Sequence, residues 1–173
     1  MLARAPKGRF EDVKDQKMAA AASAAMFLTG KGRDHRGRSL ADLLAFDDSA
    51  LEQHHDYIQW LFPLPEASRF NMSAPVLGRE DIATIRSDSE ARANLLRASD
   101  RMLAFYRDND HWLVPFNHNH LRITRIIRCL ALCVGEEEAK GFYTDILALV
   151  EAAGRPVNED SLRYWRQAAH SSA

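Results

Sequence analysis

The sequence predicts an all-α fold, a single globular domain of about seven or eight packed helices. Three observations carry that prediction. Apolar residues recur at spacings of three and four rather than two, the period of a helix and not of a strand. Capping residues and stop signals punctuate those runs at helical lengths. No internal repeat or long low-complexity tract interrupts them. A chain of 173 residues suits one domain and can bury most of its apolar surface without staples. Residues 1–12 are expected to be a flexible N-terminal arm, with residues 13–170 forming the domain.

The first helix is expected from about Val13 to Leu28, built on the alanine-rich run MAAAASAAMFL. That run is too short for a membrane span, which takes about 20 residues. Acidic residues also precede it, so neither export nor a span is expected. The glycine-rich basic stretch TGKGRDHRGR follows and reads as a solvated loop. Ser39, with Asp42 three residues on, opens a short helix. Asp47 or Asp48 opens the next, which is expected to run through HHDYIQWLF and stop at Pro63. PLPEASRFNMSAPV holds three prolines and is an irregular connection, of a length that is often functional. A short helix around Arg79–Arg86 comes next. Ser87-Asp-Ser-Glu90 has the form of a capping box for a helix reaching about Tyr106, with Leu95, Leu96, Met102, Leu103 and Tyr106 as its apolar face. Asn117 can cap the helix of NHNHLRITRIIRCLALCV, which Gly135 ends. Three glutamates then suit the positive end of the following helix. Its expected buried residues are Phe142, Tyr143, Ile146, Leu147 and Val150. Pro156 and Asn158 open a last helix with Leu162, Tyr164 and Trp165.

The chemistry-bearing residues concentrate in two of these segments. On a continuous helix from Leu51 to Phe62, His54 and His55 fall on the apolar face, Gln59 on the polar face and Trp60 opposite Leu51. Adjacent residues of a helix do not converge on one ion, so His54, His55 and Asp56 make a poor metal site. No metal and no cofactor is expected. Trp60 is expected to be covered by the proline-rich connection, because a Trp ring rarely stays wet. Otherwise it stands with Tyr57 and Gln59 on a binding surface. In the second segment Ile123, Ile126, Ile127, Leu130 and Val134 form one face, and Arg122, Arg125 and Arg128 are expected to form another. A guanidinium offers a planar fork for carboxylate or phosphate. His118 and His120 flank the start of this helix.

Several function classes recede on the same page. A formal net charge of −1 argues against a generic nucleic-acid binder. No G-x-S-x-G motif or phosphate loop is present. Cys129 and Cys133, four apart on a helix, are too distant for a relaxed disulfide and read as free core thiols, which suits the cytoplasm.

LEQHHDYIQWLFPL, SRFNMSAPVL and NHNHLRITRII, in this order and at this distance, resemble the conserved N-terminal region of the opioid growth factor receptor family. The resemblance covers roughly Met26 to Val150 and carries the motif positions His55, Tyr57 through Leu64, His118, Asn119 and Leu121 through Ile126. It implies an all-helical domain, found in animal receptors for an enkephalin peptide and in microbial proteins of unknown role. Nuclear association is implied by analogy with the animal members. The long disordered or repetitive tails of those receptors are not expected here. The resulting expectation is a peptide- or protein-binding module, with His55, Tyr57, Gln59, Trp60, His118, His120, Arg122 and Arg125 as binding residues. One alternative is an enzyme or small-ligand pocket between the two motif helices with His55, His118 or His120 as acid/base. A second alternative is nucleic-acid binding through Arg33, Arg36 and Arg38 together with the arginine stripe.

Overall fold

Helix-forming periodicity produces a helical molecule: in a computed structural model that describes residues 24–170, nine helices and no strand are present among the described residues. They are α1 (24–28), α2 (Leu40–Leu44), α3 (Asp48–Gln53), α4 (Ile58–Leu61), α5 (Arg79–Ser87), α6 (Ser89–Asp108), α7 (Asn119–Cys133), α8 (Glu136–Ala152) and α9 (Glu159–Ala169). An isolated parallel bridge joins Leu64 to Val76. The expected arm at 1–12 and the start of the first helix at Val13 lie outside the described residues.

α7 is the central helix and packs chiefly on α8 and α9. Its apolar stripe explains the position: Ile123, Ile126, Ile127 and Leu130 are fully buried, and Cys129 and Cys133 lie among them as free thiols. α8 contributes Phe142, Ile146 and Val150, and α9 contributes Leu162 and Trp165. α6 seals the other side with Leu95, Met102, Phe105 and Tyr106. Leu96, expected on its apolar face, is 37% exposed, while Phe105 is buried instead.

Three features differ from the sequence reading. The capping residue of α6 is Asp88, whose carboxylate accepts from the Ala91 N–H at 2.9 Å; Ser87 is the last residue of α5. The basic stretch after α1 is ordered rather than merely solvated. Asp34 is 6% exposed and accepts from the backbone N–H groups of Arg36 and Arg38 and from Arg38 Nε. Arg38 and Arg36 both pair with Asp56, and Arg33 lies 3.8 Å from Asp42, so these three cations face carboxylates. Gly30, at φ +74°, provides the left-handed turn out of α1 that a side chain would resist.

The third difference is the break in the expected helix from Asp48 to Phe62. α3 stops at Gln53 because His54 is extended (ψ 137°), and α4 starts only at Ile58. The intervening turn changes which side chains face inward. Gln59 is buried rather than on a wet face, and His55 is exposed rather than on the apolar one.

Candidate functional site

The break is held open by a residue distant in sequence. The last carbonyls of a helix lack intrahelical donors and carry the negative end of its dipole. Arg122, in the first turns of α7, supplies those donors to α3. Its Nη1 donates to the Leu51 carbonyl at 2.8 Å and its Nη2 to the His54 carbonyl at 2.8 Å. Nη1 also donates to Asn119 Oδ1, and the guanidinium lies over the Tyr57 ring at 5.5 Å. Arg122 is 5% exposed. Tyr57 completes the joint by donating its hydroxyl to the Leu51 carbonyl, and burial pushes that phenol up to about 12. The two motif segments are therefore fastened to one another through one buried cation.

A cleft of about 460 Å³ opens beside this joint. Ile58, Leu64, Phe70 and Leu121 give it apolar walls, and His55, Gln59, His118 and Arg125 its polar positions. A second hollow of about 450 Å³ adjoins it, sharing His118 and Leu121 and reaching Phe116. Phe70 is 82% exposed, Leu121 66% and Phe116 83%. Three large apolar side chains thus stand in solvent along two adjoining hollows, Phe70 in the cleft, Phe116 in the second and Leu121 in both, the pattern of an interaction site rather than of scattered surface residues.

The charges around the cleft are unevenly matched. Arg128 pairs with Glu66. Arg122 is committed to carbonyls as described. Arg125 donates once, to the Phe62 carbonyl at 3.1 Å, and has no carboxylate within 4 Å among the described residues. Burial pushes its guanidinium below the ordinary arginine value. On the opposite lip Glu52 lies 3.1 Å from His111 Nε2 and 3.3 Å from His118 Nε2, and the rings of His118 and His55 meet edge to face at 5.2 Å. Burial of Glu52 opposes its ionisation, but hydrogen bonds from Asn119 and His111 and the neighbouring histidines outweigh it and hold the carboxyl below its usual range. Burial, and then the Arg122 charge, lower His118 below 6.5.

Of the residues expected to bind, His55, Gln59, His118, Arg122 and Arg125 line the cleft. Tyr57 and Trp60 lie in the interior, and His120, although buried, lines the adjoining hollow. Trp60 is covered: Phe27 meets its ring edge at 5.4 Å, His35 stacks on it, and Trp60 Nε1 donates to His35 Nδ1 at 3.1 Å. His120 is satisfied on both nitrogens, with Nε2 at 2.9 Å from the Trp112 carbonyl and Nδ1 at 3.2 Å from the Ser161 hydroxyl. The sequence reading missed Phe70, Leu121 and Thr124 as cleft residues. A signal for Leu121 existed. At about 100° per residue His118, Leu121, Arg125 and Arg128 share one face of α7, so an apolar residue sits in the middle of a polar surface. Among the described residues no group of three or more His, Cys, Asp or Glu could hold a metal ion, and no helix is long and apolar enough to cross a membrane.

Residues 40–111 match the family described as the opioid growth factor receptor conserved region. The opioid growth factor receptor of Rattus norvegicus is 37% identical over a region covering 46% of this chain and 17% of the relative. That of Homo sapiens is 35% identical over 46% of this chain and 14% of its own length. Opioid growth factor receptor-like protein 1 of Mus musculus is 31% identical over 69% of this chain and 30% of its own. The chain thus spans less than a third of the length of these relatives. No solved structure matches it. The matched segment contains α3, α4 and the connection that walls the cleft, and with it this chain carries the conserved region of the opioid growth factor receptor family.

Proposed function

We propose that this protein is a binding module that holds a peptide or protein segment in the cleft between α4 and α7. The carrying observation is the exposure of Phe70 and Leu121 on a cleft that also presents Arg125 and His118, with Phe116 exposed in the adjoining hollow. Aromatic and aliphatic anchors supply contact area, and the cations supply orientation, as in grooves that take extended or helical segments. The names of the relatives, opioid growth factor receptors, support a ligand-binding role without identifying the ligand. A cytoplasmic place, with nuclear association by family analogy, fits the free buried thiols Cys129 and Cys133.

The test is selection from a synthetic peptide library presented in both orientations, with free C-termini and with free N-termini. Hits should shift cleft resonances in NMR spectra of the wild type and lose most of their affinity for Leu121→Asp. Hits that bind Leu121→Asp as well as the wild type would remove the cleft from consideration.

A second reading has its own observation, the approach of His55 and His118 beside Glu52. An acid/base pair there would alter bound peptides chemically. Mass spectra of selected peptides after incubation with wild type and with His118→Gln separate the two readings: unchanged masses favour binding alone.

A further inference from the structure

The binding reading leaves open which part of a peptide the cleft recognises. Arg125 and Gln59 bear on that choice, because each carries a polar group without a matching partner. A guanidinium has five N–H donors. Arg125 directs one hydrogen bond to the Phe62 carbonyl. Its neighbours on α7 are engaged elsewhere, Arg122 with the carbonyls of α3 and Arg128 with Glu66. No carboxylate lines the cleft. Glu66, held by Arg128, acts on Arg125 only from beyond contact distance; a half-buried cation with no carboxylate in contact is costly to keep, and an entering anion removes that cost.

Gln59 supplies the complementary observation. It is 4% exposed and lines the same cleft. Its Nε2 donates to the His55 carbonyl at 3.3 Å, while its buried Oε1 has no hydrogen-bond partner. Buried acceptors without donors are uncommon and mark places where a donor is missing. The cleft therefore asks for a ligand that brings an anion and an N–H donor together, with an apolar group for the walls of Ile58, Leu64 and Leu121.

We propose that the cleft reads the free C-terminal carboxylate of a peptide that ends in an apolar residue, with Arg125 as the carboxylate receptor and Gln59 as acceptor for the last backbone N–H. This rests on the binding reading above. In the last residue of a peptide the N–H, the carboxylate and the side chain all branch from a single Cα, which matches the three demands at once. A phosphate brings the anion without the N–H. An internal Asp or Glu places its carboxylate on a separate rotatable arm, away from its own amide. The guanidinium takes the carboxylate through two parallel hydrogen bonds. The amide of Gln59 turns about its last torsion, releasing its long bond to His55, to present Oε1 to the ligand.

The experiment uses peptides ending in Leu or Phe, N-terminally labelled, each made as the free acid and as the C-terminal amide. Fluorescence anisotropy gives Kd for the wild-type chain, for Arg125→Gln, Arg125→Lys and for Gln59→Leu, with circular dichroism to establish that each variant is folded. The free acid should bind at least about tenfold more tightly than the amide, the scale of one charge-assisted pair. Arg125→Gln should abolish that preference, bringing the affinity for the free acid down to that for the amide, and Arg125→Lys should restore only part of it. Gln59→Leu should weaken both forms about equally, since both carry the N–H. Equal binding of acid and amide, with both lost on Leu121→Asp, overturns the carboxylate reading and leaves the binding reading intact. Displacement by inorganic phosphate, or by amidated peptides with an internal Asp, at the same concentrations as the free acid also overturns it. Failure of every peptide form to bind overturns both, as does a concentration-dependent dimer that closes the cleft.

Discussion

At the scale of single residues, Arg122 and Arg125 separate structure from recognition although they lie on one helix three positions apart. Three residues advance a helix by about 300°, so a row spaced by three drifts, and Arg122 and Arg128 end about 120° apart. The stripe that looks continuous in the sequence therefore turns one member inward. Arg122 donates to the Leu51 carbonyl, which it shares with the Tyr57 hydroxyl, and to the His54 carbonyl just past α3, whereas Arg125 makes one hydrogen bond beside open space. Removing a buried cation orphans its acceptors, each costing about 1–3 kcal/mol. Arg122→Met should lower stability by about 3 kcal/mol, and Arg122→Lys by nearly as much because one ammonium cannot span both carbonyls. Arg125→Gln should cost under about 1 kcal/mol. Urea denaturation of the three variants checks the contrast. A mild Arg122→Met would mean that water replaces the guanidinium and that the joint between the motifs is not its work.

At the scale of elements, the sequence showed where helices exist more reliably than where they stop. Ser39, Asp47 and Asn158 cap as their positions suggest, because capping is a local interaction of three or four residues. Near Ser87 two caps competed on local grounds, and Asp88 prevailed by both closing α5 and opening α6. Asp88→Ala should therefore cost about 1 kcal/mol and Ser87→Ala only a few tenths, read from thermal unfolding. The break between α3 and α4 was not legible in this way. Leu51 to Phe62 contains no Gly or Pro, and its stop depends on an arginine more than sixty positions away. The cover on Trp60 is equally non-local. Part of it comes from the loop that Asp34 organises, so Asp34→Ala should release His35 from the ring. With 5-fluorotryptophan at Trp60, Trp112 and Trp165, one of the three fluorine resonances should move toward its solvent-exposed position while the other two stay. Movement of none would show that Phe27 alone suffices to cover the ring.

At the scale of the whole molecule, the candidate site is visible only once α4, the proline-rich connection and α7 are assembled, since its walls come from all three. The sequence named both motif segments but could not tell which of their residues turn inward, because that depends on the break. The same assembly buries histidines in a way that makes stability depend on pH. His120 sits beneath Trp165 and Trp112, and burial lowers it below 6.5, against a smaller opposing effect of the Trp112 carbonyl. His118 is lowered as well. A histidine whose folded-state pKa is depressed binds its proton more readily when unfolded. Its contribution to stability is complete above the unfolded value of about 6.5 and is lost as pH falls through the folded value. The carboxylates Glu52 and Asp56 are also depressed, but their contribution is lost below their ordinary values of 4.5 and 3.8, a separate window. The urea midpoint should thus be level from pH 8 to about 7 and decline between about 6.5 and 5. His120→Gln should lower the plateau, since it disturbs the bonds to Trp112 and Ser161, yet make the decline shallower. A double variant with His118→Gln should be shallower still. If the slope between pH 6.5 and 5 survives in the double variant, the extra proton uptake on unfolding belongs to other groups and these two rings bind protons equally in both states.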